Sequence, residues 1–419
     1  MSAERRERVN RVRLRLVRRA IGPDGLSDGR VAVLIFVLVA VAYWIALPHV
    51  DIQGNHPMSD GRIYGMMAEH PREISASYVL GMPYVFRVLT PWTVWALPFR
   101  PRTGFALLSV LSAAGGAAIL YLYARTFFDR AAALRAVLFF VVAGGVLGLL
   151  MDPWLVDGPA FFLAILSSLL VRRGRLGWAT VTLCLGIADH EGFVLVAVTL
   201  LIAHLVDHEW RFEARLVPFV AAPALVYLGI HYTPWIYGSV PPAYRVWSAE
   251  NFRATIDFRR LLDGNLVKSV VFAFATSFGG VWALALLGYR SAPKFVRASA
   301  VMLPFVALNF LTSADWERVL TFAFPVVILL ACRVQLRWPI LAVFLVVQAW
   351  LSGLGIDRIS GYYHAGYFTR PLNHSHYVLT VTLFAVAIAL AVLGAATGKT
   401  PRTLVRPPSP TPDLTHAQR

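Results

Sequence analysis

YVLGMPYVFRVLTPWTVWALPF, residues 78–99, is the stretch whose reading decides the fold, because it is apolar enough to cross a membrane yet interrupted throughout. Pro83, Pro91 and Pro98 remove backbone donors that a buried helix uses, and Arg87 sets a charge in its middle. Trp92 and Trp95 are residue types of the membrane–water interface. Read as a span, the segment would reverse the side of every later loop and send the arginine clusters outside. It is therefore laid along the outer surface, with a short amphipathic helix at about 59–69, inside a structured first outer loop of residues 49–103.

On either side of it apolar runs dominate. The chain is 58% hydrophobic and 15% charged over 419 residues, with mean hydropathy +0.62, more apolar surface than one water-soluble core hides. We expect an all-α integral membrane protein of about 12 transmembrane helices with interfacial helices in the first outer loop. Spans are placed at about 31–48, 104–123, 134–151, 157–171, 176–189, 191–206, 216–231, 266–288, 298–312, 319–332, 338–353 and 377–395. Residues 30–395 form this polytopic domain, with further long outer loops at 232–265 and 354–376. The basic segment 1–29 precedes a first span read as retained rather than cleaved. Residues 396–419, polar and proline-rich, read as a disordered cytoplasmic tail.

Charge sets the sides. The segment before the first span carries Arg5, Arg6, Arg8, Arg11, Arg13, Arg15, Arg18 and Arg19, which keeps it cytoplasmic by the positive-inside rule. Arg125, Arg130, Arg135, Arg172, Arg173, Arg175, Arg290, Lys294, Arg297, Arg333 and Arg337 then also fall inside, and both termini are cytoplasmic. The alternate loops hold Asp51, Asp60, Asp152, Asp157, Asp189, His190, Asp315 and Glu317. A net charge of +16 would point to nucleic acid in a soluble protein. Here the arginines set topology and meet anionic headgroups of membrane lipids, and no nucleic-acid partner is expected. Cys184 and Cys332 sit near opposite faces, so no disulfide is expected.

The outer loops collect the candidate site residues. Asp60 opens a helix-like stretch, where it either caps the helix or, partly desolvated beside Tyr64, serves as a general base. Asp51 follows the first span and either marks where the helix leaves lipid or shares that role. Arg62 and Arg87 run against the positive-inside trend, which suits a phosphate-bearing ligand, although Arg62 could instead pair with a carboxylate. MDPWLVDGPA presents Asp152 and Asp157, and Asp157 could be only an N-cap. The pair has the composition of a metal site without ligand spacing, so no metal ligand is assigned and a divalent cation stays open as a cofactor. ADHEGF puts Asp189, His190 and Glu191 at a turn between spans, at a depth where ionisable groups face cavities. Arg318, at the outer start of a later span, either binds phosphate or closes an ion pair with Asp315.

Taken together, the chain resembles the GT-C class of polytopic glycosyltransferases, which use sugars carried on polyprenyl phosphates. The resemblance rests on a first span followed by a loop with Asp60, Gly61, Tyr64, Met67 and Ala68, then YVFRVLTPW, then a long outer loop after the seventh span and a late DWERVLTFAFP. It implies transfer of a sugar from a polyprenyl-phosphate donor to a glycan, lipid or protein acceptor at the extracytoplasmic face of the cell membrane. By the same resemblance Asp60 would be the catalytic base, with Asp51 as the alternative. Arg87 and Arg318 would be candidates for the lipid phosphate; the outer-loop reading itself adds Arg62, Tyr64, Asp152, Asp157, His190 and Glu191 as substrate-binding candidates. Two other classes stay open: a transporter or flippase of lipid-linked or small solutes, and a non-catalytic partner in envelope assembly.

Overall fold

The computed structural model describes residues 26–50, 59–71, 87–232, 266–308, 320–365 and 374–397. The basic segment up to residue 25, Asp51, the loop 233–265, Arg318 and the tail beyond Thr397 lie outside them. Among the described residues all regular structure is helical. The helices are α1 (Asp28–Val50), α2 (Ser59–Glu69), α3 (Leu89–Ala96), α4 (Pro101–Arg125), α5 (Arg130–Val141), α6 (Gly144–Met151), α7 (Asp157–Arg172), α8 (Leu176–Asp189) and α9 (Phe193–Asp207). They continue with α10 (Leu216–Tyr232), α11 (Leu266–Ser277), α12 (Val281–Tyr289), α13 (Lys294–Ser299), α14 (Met302–Leu308), α15 (Phe324–Ala331), α16 (Trp338–Ala365) and α17 (His374–Thr397).

A helix lies in each of the twelve expected spans, but length separates them. Among the described residues, three helices are long and apolar enough to cross a membrane, at Asp28–Pro48, Pro101–Arg125 and Tyr377–Thr397, or up to five if each of two bent pairs counts as one. Most of the rest are shorter: the 14 residues of α8 rise about 21 Å at 1.5 Å per residue, against a hydrocarbon core about 30 Å thick. α16 has 28 residues, but its apolar part is the shorter Trp338–Gly353. Within the decisive segment, the described part forms only α3, whose 8 residues are far too few to span. Three expectations are corrected. The runs 134–151 and 266–288 are not continuous, because α5 meets α6 at 48° and the α11–α12 pair bends by 85°. The segment expected to become loop at residue 354 stays helical to Ala365. The sixth span starts at Phe193, which leaves Glu191 in the turn before it.

α4 is the hub, packed on α1, α5 and α7. Its buried Ala113, Ala114, Gly115, Gly116, Ala117 and Ala118 form a small-residue stretch that lets neighbouring helices approach closely, the packing that operates where lipid removes the hydrophobic drive between helices. Phe140 and Ile165 fill the space a side chain at Gly116 would take. The outward faces are apolar: Val33, Leu38 and Ile45 of α1, Val346 and Trp350 of α16, and Val392 and Leu393 of α17 are exposed. Apolar surface this continuous is suited to hydrocarbon rather than water.

The bend after α5 shows how a helix breaks at depth. Val141 and Val142 carbonyls lose their helical partners there, and the Tyr43 hydroxyl donates to Val141 O at 3.1 Å while Ser352 Oγ donates to Val142 O at 2.7 Å. Lipid offers no substitute donor, so these two side chains are what make the break tolerable. Gly144 completes it, because a Cβ at that position would overlap the Thr276 carbonyl.

Candidate functional site

The charged residues of the outer loops converge at the end of the bundle where α8 turns into α9. The local reason begins with α3. Its own N-terminus has no capping side chain, Val88 holding that position, so its first amides need an acceptor from elsewhere. Asp189, at the last position of α8, supplies it: Oδ1 accepts from Thr90 N at 3.1 Å and from Thr90 Oγ1 at 2.6 Å. Val88 N also donates to Ala188 O at 2.9 Å. The start of α3 is thereby fastened to the end of α8 by a buried carboxylate that accepts from the helix N-terminus.

Arg87, one residue earlier, is buried. Its Nε donates to Glu191 Oε2 at 2.8 Å and its Nη2 to Glu191 Oε1 at 2.5 Å, a two-pronged fork. Nη1 donates to the Tyr64 hydroxyl at 2.9 Å, so α2 is held to the same guanidinium. Burial works against the charge on Arg87. The Glu191 carboxylate, then Tyr64 and Asp157, overcome that and hold the group well above its ordinary value. Glu191 is the more open partner, its side chain 24% exposed against 7% for Arg87.

His190 lies between carboxylates. Its Nδ1 accepts from Gly192 N at 2.9 Å, which in the neutral ring leaves the proton on Nε2. Nε2 stands 3.8 Å from Asp157 Oδ1, and Nδ1 stands 3.9 Å from Glu191 Oε2. The ring rests on Phe322, centroids 4.7 Å apart. Asp157 is the first residue of α7 and almost fully buried; Val156 holds the N-cap position and no side chain caps the helix there, so the N-cap reading of Asp157 is corrected and its place is in the cluster. Asp152 is buried at the end of α6, and the loop between these two aspartates is fixed by Ser109 Oγ donating to Pro153 O at 3.1 Å.

A small apolar core roofs this end, formed by Tyr64, Met67, Ala68, Val88, Val94, Phe105, Trp154, Leu155 and Val156. It joins α2, α3, α4 and the 152–156 loop. Desolvation of this kind strengthens the electrostatic interactions beneath it.

Of the candidate residues, Tyr64, Arg87, Asp157, His190 and Glu191 are brought together, and Asp152 is buried on the adjoining loop. Arg62 is exposed on α2 and takes no part in the cluster. Asp60 is the second residue of α2, one turn before Tyr64. Asp51 and Arg318 lie outside the described residues. Among those residues no three His, Cys, Asp or Glu side chains form a group suited to a metal. Thr90 and Phe322 were not anticipated. Thr90 had a signal, since Phe86, Arg87 and Val88 offer α3 no local cap and the acceptor had to come from another segment.

No protein-family model matches the chain, and no curated protein matches it. Among solved structures it is similar to the crystal structure of ArnT from Cupriavidus metallidurans in the apo state, with 16% identity over 88% of this chain and 77% of that one, and a TM-score of 0.47.

Proposed function

We propose that the protein is a membrane glycosyltransferase that moves a sugar from a polyprenyl-phosphate donor to an acceptor hydroxyl at the carboxylate-rich end of the bundle, which faces the extracytoplasmic side. The observation that carries this reading is the Tyr64–Arg87–Glu191 bridge. It docks the helix bearing position 60 onto a buried cluster of Asp157, Asp189 and His190, at a depth where ionisable groups are costly unless they serve a ligand or a proton. The sequence resemblance supplies the reaction class.

Asp60 takes the proton of the acceptor hydroxyl, with Asp51 as the alternative base. The acceptor oxygen attacks the anomeric carbon, the bond from that carbon to the phosphate oxygen breaks, and polyprenyl phosphate leaves with the electron pair, inverting the centre. Arg318 and Arg62 neutralise the phosphate. Arg87, whose three nitrogens are engaged by Glu191 and Tyr64, is a positioning residue for α2 and the 190–192 turn. Both termini are cytoplasmic in this arrangement.

One observation favours a transporter instead: the two bent helix pairs, a feature of many transport folds. Against it, the carbonyls at the α5–α6 break are capped by Tyr43 and Ser352. The deciding experiment presents the protein, reconstituted in lipid, with a panel of radiolabelled polyprenyl-phosphate hexoses and pentoses. Sugar transfer by wild type and none by Asp60→Asn is the expected result. Movement of intact lipid-linked sugar across the bilayer, with no cleavage by either protein, would establish transport.

A further inference from the structure

The opposite end of the bundle holds a groove that the proposed reaction does not use. It is a shallow, open groove of about 580 Å³, lined by Arg175, Trp178 and Val181 of the α8 side and Arg215 of the α10 side, with Gly174 and Gly177 between. α8 and α10 pack side by side and both begin here, so the arginines that immediately precede them, Arg175 and Arg215, stand together at the mouth. Among the described residues neither is in an ion pair, whereas neighbouring Arg172 is taken by Asp207 at 2.7 Å. No acidic side chain is among the residues that line the groove.

Below the arginines the surface changes character. Trp178 is 66% exposed and Val181 47%. The apolar strip continues along Leu185 on α8 and Val217 and Val220 on α10, all exposed. A Cβ at Gly174 or Gly177 would meet nothing within 4 Å, so the floor is open. Two unpaired guanidiniums, a tryptophan at the boundary and an apolar strip beneath have the profile of a phospholipid: phosphate, glycerol level and acyl chain. A soluble anion would engage the arginines and leave Trp178 and Val181 without a role.

We propose that this groove binds an anionic phospholipid of the leaflet at the arginine-rich end, its phosphate between Arg175 and Arg215 and one acyl chain along Val181 and Val217. Such a lipid would hold the N-terminal ends of α8 and α10 together. The proposal is independent of glycosyl transfer.

Native mass spectrometry of the full chain in detergent tests it, with dioleoyl phosphatidylglycerol, dioleoyl phosphatidylcholine and glycerol phosphate as probes. Wild type should retain phosphatidylglycerol over phosphatidylcholine and show no adduct with glycerol phosphate. The Arg175→Gln, Arg215→Gln double variant should lose phosphatidylglycerol binding by at least about tenfold. Trp178→Ser should weaken it with both arginines intact. Arg173→Gln, exposed on the same loop but outside the groove, should change it by less than about twofold. An equal loss in Arg173→Gln, undiminished binding in the double variant, or glycerol phosphate binding as well as the lipid would each overturn the proposal. All the substituted side chains are exposed, and size-exclusion elution matching wild type confirms that each variant is folded.

Discussion

At the end where α8 turns into α9, Arg87 is buried and forked to Glu191. At the other end Arg125 Nε meets Asp28 Oδ1 at 3.0 Å, with Arg130 nearby at 3.5 Å and 36% of the Asp28 side chain open. Both are arginine–carboxylate contacts that tie distant helices, yet they answer to different physics. At the fork Arg87 is nearly shut off from solvent and Glu191 only partly open, so removing one member leaves a charge that water replaces poorly. The Asp28 pair is the more open of the two, with Arg125 16% and Asp28 36% exposed, and is partly screened and rehydrated. Ion pairs at the arginine-rich end are therefore expected to contribute less to stability than the fork at the carboxylate end.

The contrast can be broken by single substitutions. The largest effect is expected for Arg87→Ala or Glu191→Gln, each lowering stability by about 3–5 kcal/mol in unfolding titrations of the detergent-solubilised protein. Replacing both by apolar residues of similar size should recover much of that loss, because no buried charge is then left alone. Gly144→Ala should cost about 1–3 kcal/mol by driving a methyl group into the Thr276 carbonyl at the helix break. Asp189→Ala removes the cap borrowed by α3 and should cost about 1–2 kcal/mol, with faster hydrogen exchange at the Thr90 amide as its local signature. Asp28→Asn should cost at most about 1 kcal/mol, and less at high salt. An Asp28 effect as large as the Glu191 effect would erase the distinction between the two ends.

Much of this was legible along the chain. The prolines and the central arginine of residues 78–99 argued against a span there, and the described part, 87–99, holds one short helix, α3. ADHEGF was readable as part of a charged cluster because three ionisable residues interrupt an apolar stretch at a turn. What pattern reading did not supply were the partners. Thr90 and Asp189 are 99 positions apart, and Arg87 and Glu191 are 104 apart. No periodicity links such pairs, and only packing of α3 against α8 does. The helix breaks had local signs in Gly144–Gly145 and Gly279–Gly280, with Gly279 at φ +46°. Hydropathy averaging passes over paired glycines, since they leave the apolar run intact. The exposed Arg62 shows the converse: a charge against the topological trend marked the right loop without marking a member of the cluster.

The most direct test of the central claim is single-turnover sugar transfer from a polyprenyl-phosphate donor by reconstituted protein, comparing Asp60→Asn with Asp28→Asn. Loss of transfer in Asp60→Asn with near-wild-type transfer in Asp28→Asn is the predicted result. Transfer that survives in Asp60→Asn and fails in Asp28→Asn would place the chemistry at the opposite end and contradict the account.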